Sequence, residues 1–118
     1  MEFRENQAIY LQIAEAVCDN ILSGKWKEGD KIPSIREIAV DFEVNPNTVV
    51  RTYAYLQERG IIYNQRGIGY FVAESARKHT GTLKKEEFIQ EELPRVFRTM
   101  DLLAMDFSDL QRIYETRK

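Results

Sequence analysis

Asn45, Asn47, Thr48 and Arg51 crowd into one short segment, Asn45-Pro46-Asn47-Thr48-Val49-Val50-Arg51-Thr52, whose side chains suit the edges of bases. An asparagine amide pairs bidentately with adenine, and a threonine bonds a base or phosphate or touches a thymine methyl. Arg51, one turn further on, reaches a guanine edge or a phosphate, and Thr52 stands beside it on an outer face. Asn45 followed by Pro46 is also a helix start, and the first amides of a helix can hold a phosphate. Two outlying groups extend the set. Arg36 precedes the segment at a distance a long cationic side chain can span, and Arg66-Gly67 follows it. An arginine at a hairpin tip can enter a minor groove while the glycine lets backbone meet backbone. Each of these residues also has a plain structural role. Asn45 serves as a cap, Thr48 as a local backbone partner, Arg36 as an ion-pair partner of Glu37 or Asp41, and Arg66 as a solvated turn.

Charge is distributed in a way that permits such a contact. The net charge of −2 does not itself favour a polyanion. Residues 1–43 carry nine acids, whereas residues 44–73 carry only Glu58 against Arg51, Arg59 and Arg66. A polyanion can approach the middle of the chain without acidic repulsion.

Other chemistries find little support. Cys18 is the single cysteine and His79 the single histidine, so neither an internal disulfide nor a His/Cys metal site is expected, and no cofactor is. No glycine-rich phosphate loop or nucleophile–base set is present, so an enzyme is not expected. Glu86-Glu87 and Glu91-Glu92 are read as a solvated helix face. No apolar run nears the ~20 residues of a membrane span, and the N-terminus lacks a secretory pattern, so the expected setting is cytoplasmic.

The elements that must position the segment are legible from periodicity. Ile9, Tyr10, Ile13, Ala14, Val17, Ile21 and Leu22 recur at helical spacing, with Gln12, Glu15, Asp19 and Asn20 largely opposite. Asn6 can cap this helix and Gly24 can close it. Gly29-Asp30 marks a turn beside a short extended stretch. Ser34 and Glu37 form a capping box for a helix from about Ile35 to Phe42, with Ile38, Ala39 and Phe42 inward. A tight Glu43-Val44 connection leads to the helix begun at Asn45-Pro46, whose inner stripe is Val49, Tyr53 and Leu56 and whose end is near Arg59-Gly60. The runs IIYNQ and GYFV, separated by Arg66-Gly67-Ile68, form a hairpin. The order helix, helix, tight turn, helix, hairpin is that of a winged helix-turn-helix, a mainly α fold with a small β-hairpin.

The run from Ile32 to Val72 resembles the DNA-binding domain of the GntR family of bacterial repressors. The resemblance rests on Pro33, Ser34, Arg36, Glu37, Ala39, Val44, Thr48, Val49, Leu56, Gly60, Gly67, Gly69, Phe71 and Val72. It implies double-stranded DNA as partner, with Arg36, Asn45 to Asn47, Thr48 and Arg66-Gly67 at DNA-contacting positions. The chain departs from the pattern at one point. Many members carry arginine two places after the threonine, where this chain has Val50, and its arginine is Arg51. One residue is ~100° of helix rotation, which turns Arg51 away from the usual contact.

Residues 1–73 are expected to form the DNA-binding domain and 74–118 a helical dimerisation region. Residues 73–82 read as a polar linker or a frayed helix start. Beyond them Ile89, Leu93, Val96, Phe97, Met100 and Leu103 form a narrow apolar stripe, with Pro94 expected to kink the helix. Asp106 caps a last helix carrying Leu110, Ile113 and Tyr114. So few residues cannot bury a core of their own, so a second copy of the chain is expected to cover the stripe. The short tail resembles that of the YtrA subfamily, which implies a homodimer on a palindromic operator. The two-fold cleft leaves room for an unidentified small-molecule effector. The rival reading is a winged helix used for protein or RNA contacts, which would expose apolar groups on the third helix and wing.

Overall fold

The computed structural model describes residues 7–117. They form two compact units that divide after Thr82. Helix α1 (Ile9–Leu22) buries Ile13, Ala14, Val17, Cys18 and Ile21. Its first turn differs from expectation. Ile9 is exposed, whereas Gln12 is buried and donates from Nε2 to the Gln7 carbonyl at 2.8 Å. That bond lets an amide enter an apolar face at little cost. Ala8 holds the cap position without a side-chain bond, and the expected cap Asn6 lies outside the described residues.

Helices α2 (Ile35–Phe42) and α3 (Pro46–Glu58) follow with their ends where capping chemistry puts them. Ser34 accepts from the Glu37 amide, and Glu37 accepts from the Ser34 amide. The Ser34 amide, by donating to the Glu37 carboxylate, is the main cause that holds this carboxyl below its ordinary value. Glu43 takes a left-handed φ of 55° to turn the chain, and Val44 donates back to Ala39. Gly60, at φ 72°, ends α3, and the Ile61 amide returns to the Leu56 carbonyl. A side chain at that φ would be strained, which is why glycine closes this helix.

Strands β1 (Ile62–Gln65) and β2 (Gly69–Val72) pair antiparallel, with Ile62 opposite Val72 and Gln65 opposite Gly69. The Gly29–Ile32 stretch lies along the other edge of β2. Gly29 donates to Val72, Val72 to Asp30, and Ile32 to Tyr70, all at 2.9 Å. The wing is thereby tied to the chain between α1 and α2. The core beneath comprises Ile13, Ile21, Val49, Tyr53, Leu56, Ile61 and Ile62, all nearly or wholly inaccessible. Burying one such aliphatic side chain stabilises by about 1.5–3 kcal/mol.

Of the two readings of residues 73–82, the helix start is the one that holds. Helix α4 (Ala76–Glu87) begins here, after Ser75 donates its amide to Glu28 Oε1 at 2.6 Å. Ala76 and Thr80, one turn apart, are fully buried, and His79 Nδ1 sits 3.2 Å from the Gly60 carbonyl. Small side chains let this turn pack closely, so the composition that suggested a linker is what allows burial. The two compact units divide after Thr82, within α4.

In the second unit a π-helical turn (Phe88–Glu92) leads into α5 (Leu93–Leu102). Pro94 has no amide to donate, and its ring crowds the carbonyl of Gln90 four residues back. The widened winding just before it, with Leu93 donating to Phe88, accommodates that ring. Ala104 takes a left-handed φ of 55° between α5 and α6 (Phe107–Thr116). Asp106 and Asp109 cap α6 reciprocally, and Asp109 lies below its ordinary value, chiefly through the Asp106 amide.

Ser34→Ala is expected to cost about 1 kcal/mol in urea unfolding at neutral pH. Because the Glu37 carboxyl is depressed in the folded chain, its share is present above its ordinary value of 4.5 and is lost as pH falls through the folded value. Glu37→Gln, which removes the charge and keeps the Ser34 donor, should therefore cost stability at neutral pH and little in acid.

Candidate nucleic-acid interface

The face that α3 offers outward is set by the face it hides. Val49, Thr52, Tyr53 and Leu56 are fully buried, whereas Pro46, Asn47, Val50, Arg51 and Ala54 are exposed. Two long-range bonds fix the helix in this rotation. The Thr52 hydroxyl donates to the Tyr10 carbonyl at 2.8 Å and approaches its own Thr48 carbonyl at 3.1 Å. The Tyr53 hydroxyl donates to the Pro33 carbonyl at 2.6 Å, and burial pushes its phenol well above the ordinary range. Tyr70 packs edge-on against Tyr53, with ring centroids 4.7 Å apart, which joins α3 to the wing.

Thr52 is thus removed from the DNA-facing set. It is wholly inaccessible because a threonine can satisfy its hydroxyl on backbone carbonyls and present its methyl to the core. The geometry also changes the role of Arg51. Its guanidinium lies 4.0 Å from the centroid of the Tyr10 ring, so it caps the α1–α3 seam rather than standing away from the helix. Arg59 does likewise over Tyr55, at 3.7 Å. These two stacked arginines belonged to the positive side of the sequence-level charge pattern. Neither the Tyr10 platform nor its pairing with Arg51 has any local sequence signal.

The remaining expected positions stay outward. Asn45 Oδ1 accepts from the Asn47 amide at 2.8 Å, so Asn45 acts as the helix cap while its exposed position stays at the helix mouth. Asn47 is exposed and Thr48 half-buried. Arg36 is exposed on α2, and its candidate partner Glu37 is held by the Ser34 cap. Arg66, Gly67 and Ile68 form the exposed wing turn, closed by the Ile68 amide on the Gln65 carbonyl. Gly67 has φ 76°, a conformation that favours glycine and leaves no side chain at the tip. Among the described residues no group of three or more His, Cys, Asp or Glu is arranged to hold a metal ion. No helix of the described chain is long and apolar enough to cross a membrane.

A buried-backed third helix with an exposed, acid-poor N-terminal face, flanked by a glycine-tipped wing, defines the winged helix-turn-helix class of transcription regulators. Residues 9–72 match the model of the gntR family of bacterial regulatory proteins, and the chain belongs to that family. The HTH-type transcriptional repressor YtrA of Bacillus subtilis is 40% identical over 93 residues, which are 79% of this chain and 71% of that protein. The HTH-type transcriptional regulator YhcF of the same organism is 43% identical over 75 residues, which are 64% of this chain and 62% of that protein. The match therefore spans less than two thirds of YhcF. Among solved structures, a GntR-family regulator from Bacteroides thetaiotaomicron superposes with a TM-score of 0.77 at 46% identity, covering 92% of this chain and 94% of that one.

Thr52→Val, close to isosteric, should cost about 1 kcal/mol of stability through the lost bond to Tyr10. Thermal unfolding measures it. If Thr52→Val left the melting temperature unchanged, the seam would not anchor α3 as described.

Proposed function

We propose that the chain is a sequence-specific DNA-binding transcription regulator without catalytic activity, a repressor of the YtrA subfamily working in the cytoplasm. It would bind a palindromic operator as a homodimer. The observation that carries the DNA reading is the outward face of α3 at Asn45, Pro46, Asn47 and Thr48, exposed or half-exposed, on the same unit as the wing tip Arg66-Gly67. In this reading α3 enters the major groove by its N-terminal end, where its first amides and side chains meet base edges and phosphate. Arg36 reaches the backbone from α2, and the wing tip lies along the adjacent minor groove. Arg51, stacked on Tyr10, presents its charge to a phosphate rather than to a base.

The homodimer is supported by what the second unit leaves uncovered. No residue of α5 or α6 is buried. Phe88, Ile89, Val96, Phe97, Leu103, Phe107, Ile113 and Tyr114 are large apolar side chains between 38% and 72% exposed. Leu93, Met100 and Leu110 are partly covered. Such a patch is far more than scattered surface apolar residues, and a second copy covers it symmetrically. Two reader helices would then sit about one turn of duplex apart, ~34 Å.

Selection of bound sequences from random duplex DNA should enrich a palindrome. On that duplex, Thr48→Ala and Arg66→Ala should each weaken binding by about 1–3 kcal/mol without changing the oligomeric state. Arg66→Ala, which alters both protomers, should also flatten the dependence of log Kd on log salt by about 2. Phe97→Glu, at a side chain already 51% exposed, should leave the fold intact but yield a monomer by sedimentation. Its operator affinity should fall roughly 100-fold or more as the second half-site is lost. A dimer that survived Phe97→Glu together with Ile113→Glu would contradict the role given to this surface.

A further inference from the structure

We infer that Val50 is a specificity-determining residue that recognises the 5-methyl group of a thymine in each half-site, an inference that rests on the DNA-binding reading above. Asn47, Val50 and Ala54 recur at three- and four-residue spacing and share the exposed face of α3. Pro46 is exposed one turn before Val50. Val50 is 48% exposed, although its neighbours Val49 and Thr52 are completely buried. A single exposed valine on a protein surface is unremarkable on its own. Its surroundings are what give it a partner.

This face carries no charge. The one cation on α3, Arg51, is drawn 4.0 Å onto the Tyr10 ring, and the one acid, Glu58, is at the far end of the helix. Asn47 is left as the hydrogen-bonding side chain of the face, with branched aliphatic surface one turn further on. The complement of such a surface in a major groove is narrow. Every polar group on a base-pair edge would lose water against the valine without gaining a bond. The thymine methyl is the apolar group that base edges offer there, and covering it releases water from both partners. Val50 thus discriminates by excluding polar edges as well as by covering the methyl, while Asn47 reads a neighbouring base by hydrogen bonds.

The test uses the full chain and a duplex selected from random DNA, with each thymine of a half-site replaced singly by deoxyuridine, which removes only the methyl. Affinity is read by fluorescence anisotropy. For the parent protein, one position should lose about fourfold on replacement, the worth of one buried methyl, about 0.8 kcal/mol. Val50→Ala should bind the thymine and deoxyuridine duplexes equally at that position, while keeping the parent's response elsewhere. Val50→Ile should retain the discrimination. The inference is overturned if no thymine methyl matters to the parent, or if Val50→Ala discriminates as the parent does. A selection that enriches no duplex would instead remove the DNA-binding reading, and this inference with it.

Discussion

The rotation of α3 about its own axis is the constraint on which the rest of the molecule depends. One residue of rotation is ~100°, enough to exchange the buried and exposed faces. The Thr52 bond to Tyr10 and the Tyr53 bond to Pro33 hold that rotation from two different directions, one from α1 and one from the approach to α2. With both made, Val49 and Leu56 enter the core and Asn47, Val50 and Ala54 must face out. The same Tyr53 ring meets Tyr70 of the wing, so the rotation of the reader helix and the seat of the wing are set together.

What was legible in the sequence was chemistry local to a few residues. The Ser34–Glu37 capping box and the Asn45-Pro46 start define the bounds of α2 and α3 because each is complete within four residues of chain. The hairpin follows from two β-branched and aromatic runs joined by a glycine-containing turn. What stayed hidden depends on partners far away in sequence. Thr52 looked like an outer residue because its acceptor, the Tyr10 carbonyl, is 42 positions distant. Arg51 looked like a free cation because its aromatic platform belongs to α1. The first turn of α4 was left open between linker and helix start, because its small side chains show their role only when buried in place.

The second unit follows a different logic. Its helices are secured by local devices, the Asp106–Asp109 box at α6 and the widened turn ahead of Pro94, and not by burial. Helices so arranged keep their amphipathic faces available to another molecule. The first unit spends its apolar residues on holding a polar and aliphatic face at a fixed angle, while the second displays them. A helix of 13 residues can meet only a few base pairs, and the proposed homodimer would bring two of them to one operator.

The central claim is that the exposed face of α3 and the wing tip are the surface that meets DNA. Amide chemical shifts of the isotope-labelled full chain, followed during titration with a selected duplex, test it most directly. The largest changes are expected at Asn45, at Asn47 to Arg51, at Arg36 and at Arg66 to Ile68, with Ala14 to Cys18 of α1 unmoved. Changes centred on α5 and α6, with α3 silent, would contradict it.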